Sequence, residues 1–244
     1  MKILAIETST RNLGLAIADD EKILAEYRGD SLLRHAQDLI PGIESLLKKL
    51  KLRLTDIDSF AVSIGPGSFT GLRIGVSTLK GLNLATNIPI VVVPTLDAIA
   101  YSSKDSTVPV CVIVDAKKKN LYASLYKTVD GGIIREWDYA IVSAEELIER
   151  IKGSGVRGQG SGFRGQGSEK EILFVGDGVG LYEKQISEKI EGARFAPKDL
   201  WYPDVKVVGR MGAEKFKRGE FAEPDTLVPM YIYPQKCNVQ GINR

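Results

Sequence analysis

Residues 60–75 read FAVSIGPGSFTGLRIG, and they join a predicted strand to a predicted helix through a glycine-rich turn. The strand is the apolar run Phe60–Ile64, and a helical spacing of apolar residues begins at Phe69 and extends to about Ala85. The rest of the chain can be read outward from this strand, turn and helix.

The turn itself, residues 65–68, has two interpretations. A helix that starts directly after such a turn presents free N–H groups, which attract anions. The turn is not a Walker loop, because no lysine-serine or lysine-threonine pair ends it, and its glycines are not spaced as in the dinucleotide fingerprint. We therefore favour a structural interpretation in which Ser68 caps the helix. Gly71, Gly75 and Gly81, with Thr78, then give the helix small faces against which another helix packs closely.

Short apolar runs on both sides extend the pattern. A helix is predicted over 32–50, in which Pro41 marks a kink or a late start. Strands are predicted at 3–6, 13–18, 23–27 and 90–93. With the central strand and helix, the order is β-β-β-α-β-α-β, which is the order of a ribonuclease-H-like unit with a mixed sheet.

The second half of the chain repeats the start of this pattern more weakly. Strands are predicted at 108–114, 121–126 and 172–175, and Ser143 with Glu146 forms a capping box that begins a helix. We predict two domains, an N-terminal lobe over residues 1–103 that carries the first two helices and a C-terminal lobe over 104–244.

A glycine-rich segment interrupts the second lobe. Residues 155–161 read GVRGQGS and residues 162–168 repeat them almost letter for letter as GFRGQGS. Arginine among glycines can contact RNA, but the favoured interpretation is a mobile loop over 153–168 without a packed conformation.

Composition excludes several classes of protein. The 244 residues carry a net charge of +2, which gives no broad field to attract nucleic acid or a membrane. The two cysteines are too few for a disulfide framework, which favours the cytoplasm. No apolar run approaches the 18 or more residues of a membrane-spanning helix, so we expect no membrane association.

The residues that could support catalysis are also few. His35 is the one histidine, and the residue one turn later is Leu39, so no pair of imidazoles is available for a metal. Asp115 and Asp177 follow strands, where an actin-like ATPase holds magnesium and nucleotide, but the loop 7–11 has no glycine where the backbone must approach a phosphate. We expect no catalytic residue, cofactor or metal. Basic runs at 48–53 and 117–119 are interpreted as solvated surface, with RNA contact as the alternative.

The chain resembles the TsaB (YeaZ) family of bacterial tRNA threonylcarbamoyladenosine biosynthesis proteins. The resemblance rests on residues 6–9 (IETS), 35–41 (HAQDLIP) and above all 65–75 (GPGSFTGLRIG). It implies the actin-like ATPase superfold, in which two ribonuclease-H-like lobes each contain a mixed five-stranded sheet with helices. It also implies a non-catalytic subunit that partners the TsaD transferase, with the ATPase TsaE, in modifying tRNAs that read codons beginning with A.

The resemblance further implies how the chain associates. Its first two helices would pair with those of TsaD, or with a second copy of the chain in a homodimer, and tRNA would be met only through the complex. The partner interface expected by position is His35, Leu39, Ile43, Leu47, Thr70, Ile74, Ser77 and Thr78. The alternative hypotheses are an ATP-binding actin-like kinase or ATPase that acts alone, and a metallopeptidase, which the ligand count disfavours.

Overall fold

A computed structural model describes residues 1–20, 22–29, 34–129, 132–153 and 171–232. The chain forms two compact units. The predicted helix start at residue 32 and the tandem heptad at 155–168 lie outside the described residues.

The first unit is built on a mixed five-stranded sheet, as predicted. Its strands are β1 (Lys2–Glu7), β2 (Leu13–Asp19), β3 (Lys22–Gly29), β4 (Ser59–Gly65) and β5 (Ile90–Pro94), in the order β3-β2-β1-β4-β5. β1, β2 and β3 pair antiparallel, whereas β1, β4 and β5 pair parallel.

Helices cover both faces of this sheet. α1 (His35–Leu50) and α2 (Phe69–Thr86) pack on one face, and α3 (Thr95–Tyr101) and α6 (Val205–Lys217) pack on the other. The alternation of side chains along β1 separates the two cores, because Leu4 and Ile6 face α1 and α2 while Ile3 and Ala5 face α6. α1 continues through Pro41 instead of starting there.

The return of α6 to the first unit differs from the predicted domain division. The first unit comprises residues 1–102 and 202–230, whereas the predicted N-terminal lobe was the continuous segment 1–103. The second face of the sheet is lined by small residues, among them Ala16 and Ala61, so a helix can lie close against it. A Cβ at Gly212 would lie 2.5 Å from the Cβ of Ala61, which shows how closely α6 approaches.

The second unit repeats the strand order with one modification. Its strands are β6 (Val110–Lys117), β7 (Asn120–Val129), β8 (Gly132–Arg135), β9 (Ala140–Ser143), β10 (Ile172–Val175) and β11 (Ala193–Phe195), and its helices are α4 (Ala144–Gly153) and α5 (Val179–Ser187). The order is β11-β10-β6-β7-β8, and β9 also pairs with β7.

The predicted five-stranded sheet of this unit therefore has six described strands. β8 pairs with residues 126–129 of β7, and β9 pairs with residues 120–123 of the same strand. The two short strands lie one after the other along the same edge of β7. The sheet is therefore still five strands wide, and β8 and β9 together form its last strand position. Within the described ranges, no helix is both long and apolar enough to cross a membrane.

Candidate docking surface and the loop that seats it

The N-terminus of α2 is capped within the chain, as predicted. The hydroxyl of Ser68 accepts a hydrogen bond from the N–H of Gly71 at 3.3 Å. The N–H of Ser68 donates to the carbonyl oxygen of Ser9 at 2.7 Å. The turn thus uses this N–H to bind the loop between β1 and β2, which disfavours the anion-binding interpretation at that position.

The glycines of the turn and of α2 explain how closely the helix approaches that loop. An added Cβ would lie 2.2 Å from the carbonyl oxygen of Ser9 at Gly67, 2.0 Å from that of Thr8 at Gly71, and 2.4 Å from the hydroxyl of Thr8 at Gly75. The expectation that Gly71 and Gly75 receive another helix is therefore wrong, because the loop after β1 occupies that face. Gly81 differs, since a Cβ there would meet no described atom within 4 Å outside its own helix.

A buried carboxylate holds the same loop. Glu7 is 2 % exposed. Its Oε1 accepts hydrogen bonds from the N–H and the hydroxyl of Ser9 at 2.6 and 2.5 Å, and its Oε2 accepts one from the hydroxyl of Ser63. Burial raises the pKa of Glu7 to about 7, although the hydrogen bonds from Ser63 and Ser9 oppose the rise.

His35 fixes the far end of the loop. The ring is fully buried, and Nε2 lies 3.2 Å from the carbonyl oxygen of Arg11, so we assign the proton to Nε2. Nδ1 has no hydrogen-bond partner among the described residues, and burial lowers the pKa of the imidazole. His35 was predicted at a partner interface, and in this structure its ring ties α1 to the loop between β1 and β2.

The other predicted interface residues of α1 are also buried. Leu39, Ile43 and Leu47 are 1 %, 4 % and 9 % exposed and lie in the core between α1 and the first sheet. The apolar spacing that marks these positions is the spacing by which a helix covers its own sheet. The predicted contact face of α1 is therefore replaced by the opposite, outward face.

The outward faces of α1 and α2 lie on the same side of the first sheet. The exposed residues of α1 are Ala36, Gln37, Ile40, Pro41, Glu44, Ser45, Lys48 and Lys49. The exposed residues of α2 are Phe69, Thr70, Arg73, Ser77, Gly81, Leu84 and Ala85. We call this set the docking surface. Of the residues predicted on α2, Thr70 and Ser77 are exposed, and Ile74 and Thr78 are half-buried.

Three large apolar side chains lie on the docking surface. Ile40 is 42 % exposed, Phe69 is 53 % exposed and Leu84 is 85 % exposed. The sequence interpretation missed all three as contact residues. The signal was available, because Ile40 and Leu84 are apolar residues that fall between the positions of the core-facing stripe.

The aspartates of the second unit support its backbone. Asp177 Oδ1 accepts a hydrogen bond from the N–H of Asp115 at 2.9 Å. Asp115 accepts one from the N–H of Lys117 at 2.8 Å and forms an ion pair with the ammonium group of that lysine at 2.5 Å. No group of three or more histidine, cysteine or carboxylate side chains in the described part of the chain is arranged to hold a metal ion.

Comparison with known families gives a match over most of the chain. The family model described as "TsaD: tRNA N6-adenosine threonylcarbamoyltransferase" matches residues 22–237. The tRNA threonylcarbamoyladenosine biosynthesis protein TsaB of Bacillus subtilis is 28% identical over 233 residues, which are 95% of this chain and 94% of that protein. TsaB of Escherichia coli is 32% identical over 155 residues, which are 62% of this chain and 67% of that protein.

Solved structures agree on the fold. An uncharacterised protein from Pseudomonas aeruginosa, described as similar to the peptidase YeaZ, superposes with a TM-score of 0.77 at 23% identity over 95% of this chain and 99% of that one. YeaZ from the same organism gives a TM-score of 0.74, also at 23% identity with the same coverage. At these identities the likeness establishes the two-unit α/β fold alone.

Proposed function

Because the chain belongs to the TsaB family, within the wider family that the TsaD model describes, we propose that it is a non-catalytic subunit that binds a TsaD-type transferase through the docking surface. The complex would transfer the threonylcarbamoyl group to the adenosine of tRNAs that read codons beginning with A. The observation that carries the proposal is the outward face of α1 and α2, where Leu84 is 85 % exposed although it lies in a regular helix.

The composition of the docking surface supports helix-on-helix packing. On α2, four residues of the docking surface recur with the half-buried Ile74 at alternating intervals of four and three, which is the spacing of a seam between two helices. The four residues are Thr70, Ser77, Gly81 and Leu84. Full burial of a leucine side chain stabilises an interface by about 1.5–3 kcal/mol. Small residues at the positions between the apolar ones let a partner helix approach closely.

The opposite side of α2 supports the non-catalytic part of the proposal. Ser9 and Ser63 both donate hydrogen bonds to Glu7. Gly71 and Gly75 of α2 pack against Thr8, and Gly67 before the helix packs against Ser9. These polar groups satisfy the backbone of a loop that holds α2 in place. Their arrangement supports a role in positioning the docking helix, and no described feature favours the alternative of an ATPase that acts alone.

The remaining parts of the proposal follow from the family. We propose that a TsaE-type ATPase acts with the pair, that the isolated chain forms a homodimer through the same surface, and that tRNA is bound in the complex. The place of action would be the cytoplasm, where tRNA is modified. A homodimer and a heterodimer that share one surface would compete for it.

The test is association of the purified chain with the TsaD-type protein of the same organism, measured by calorimetry and by light scattering after gel filtration. We expect a one-to-one complex, and we expect Leu84→Glu and Ile40→Glu to weaken it by at least tenfold. Leu181→Glu is the matched control, because Leu181 is 61 % exposed but lies on α5 of the second unit. The absence of a complex, or an equal loss with Leu181→Glu, would contradict the proposal.

A further inference from the structure

The hairpin between β6 and β7 has an unusual turn. Lys117 pairs with Asn120, so Lys118 and Lys119 form a two-residue loop. Lys117, Lys118 and Lys119 have φ values of +64°, +51° and +64°. Three successive residues of an exposed turn thus adopt the left-handed conformation, and none of them is glycine or asparagine.

This backbone is unfavourable for lysine. A two-residue hairpin loop with positive φ at both central positions strongly prefers Asn-Gly, Asp-Gly or Gly-Gly, because a Cβ is strained in the left-handed region. The three lysine side chains are exposed, so core packing does not require them. Local strain of this kind persists where the surrounding structure supports it, and it clusters at functional sites.

The carboxylates near the turn neutralise part of its charge. Lys117 forms an ion pair with Asp115. Lys119 is near Glu145 of α4, whose pKa is lowered first by its own backbone and by Gln185, with a smaller contribution from Lys119. Lys118 has no ion pair with any other described residue. The turn therefore presents the exposed ammonium groups of Lys118 and Lys119 from a backbone of defined conformation.

We propose that this lysine hairpin, Lys117–Lys119, contacts the phosphate backbone of the tRNA that the complex modifies. The inference rests on the proposed function, which supplies RNA as the polyanion. Lysine binds phosphate as a compact point charge, and a strained, preformed turn loses little entropy when it binds. The small net charge of the chain means that such a contact must be local.

The experiment separates strain from charge with two double variants of the full chain. Lys118→Asn with Lys119→Gly removes both charges and gives the turn its preferred residues. We expect its melting temperature to rise by about 2–4 °C. We also expect the slope of log affinity for fluorescently labelled tRNA against log salt to become shallower by roughly 1–2. Lys118→Arg with Lys119→Arg keeps the charges, and its tRNA affinity should stay within twofold of the unchanged chain.

The control removes two charges from another surface of the same unit, by Lys184→Gln with Lys189→Gln, both exposed positions. Binding is measured with the chain alone at low salt and again with the TsaD-type protein added, so that failure of the complex is seen separately. Unchanged tRNA binding in the Asn-Gly variant, or an equal loss in the control, overturns the proposal. A loss of protein association without a loss of tRNA binding also overturns it, and points to an acidic protein surface instead.

Discussion

Glu7 accepts hydrogen bonds from both the N–H and the hydroxyl of Ser9, at 2.6 and 2.5 Å, inside a fully buried site at the end of β1. The carbonyl oxygen of Ser9 in turn accepts the N–H of Ser68 at the start of α2. One buried carboxylate therefore positions the loop on which the docking helix rests.

The first prediction concerns stability and pH. The pKa of Glu7 is about 7 in the folded chain against an ordinary value of 4.5, so between these values the folded state binds more protons than the unfolded state. The contribution of Glu7 to stability is then greatest below about pH 4.5, and about 3 kcal/mol of it is lost as pH rises from there through the folded-state pKa of about 7. Glu7→Gln should remove this slope. Urea unfolding from pH 5 to pH 8 measures the dependence of the unfolding free energy on pH. The exposed Glu188→Gln is the control. Parallel plots of unfolding free energy against pH for Glu7→Gln and the unchanged chain would refute the prediction.

The second prediction concerns His35, whose contribution to stability changes with pH in the opposite direction to that of Glu7. Burial lowers the pKa of His35, so the unfolded state takes up a proton more readily than the folded state as pH falls below about 6.5. Stability from His35 is present above that pH and is lost on acidification. His35→Gln keeps a donor for the carbonyl of Arg11 and does not titrate, so it should flatten the acid limb of the profile. Thermal unfolding in the Glu7→Gln background isolates this effect, and an unchanged acid limb would contradict it.

The parts of the fold that local patterns determine were predicted correctly. The cap at Ser68 and the capping box of Ser143 with Glu146 depend on residues within three positions of each other, and both are present. The division of one sheet edge between β8 and β9 was not predicted, because four-residue strands carry too little alternation to recognise. The return of α6 to the first sheet depends on contacts nearly 200 residues apart, which periodicity does not record.

The candidate site was predicted less well, for a related reason. An apolar stripe on a helix shows that a face is buried but not what buries it, so Leu39 and Ile43 were assigned to a partner although their own sheet covers them. Glu7 entered the sequence interpretation only as part of the loop 7–11 and of the motif at residues 6–9. Its bond to Ser63 joins two strands distant in sequence, and no spacing of residues shows that contact.

The third prediction tests the capping box at the start of α4. The N–H of Ser143 donates to Oε2 of Glu146 at 2.8 Å, and the N–H of Glu146 donates to the hydroxyl of Ser143 at 3.1 Å. Ser143→Ala should lower the free energy of unfolding by about 1 kcal/mol, because the N–H of Glu146 loses its partner. Ser143→Thr keeps the hydroxyl and should recover most of the loss. Urea unfolding measures both, and equal losses would show that the hydroxyl is not the stabilising group.

The fourth prediction compares two glycines of α2 that face opposite environments. Gly71→Ala places a Cβ against the carbonyl oxygen of Thr8, at 2.0 Å before any shift, so the helix or the loop must move. We expect a loss of roughly 2 kcal/mol or more in unfolding free energy, as for other overpacked sites. Gly81→Ala enters open space on an exposed part of the helix and should gain about 1 kcal/mol from helix propensity. Chemical denaturation of the two variants, at one pH and at a protein concentration low enough to favour monomers, gives both unfolding free energies.

A gain in unfolding free energy for both variants would mean that the loop after β1 does not rest on α2. A loss for both variants would mean that Gly81 is already covered by another copy of the chain.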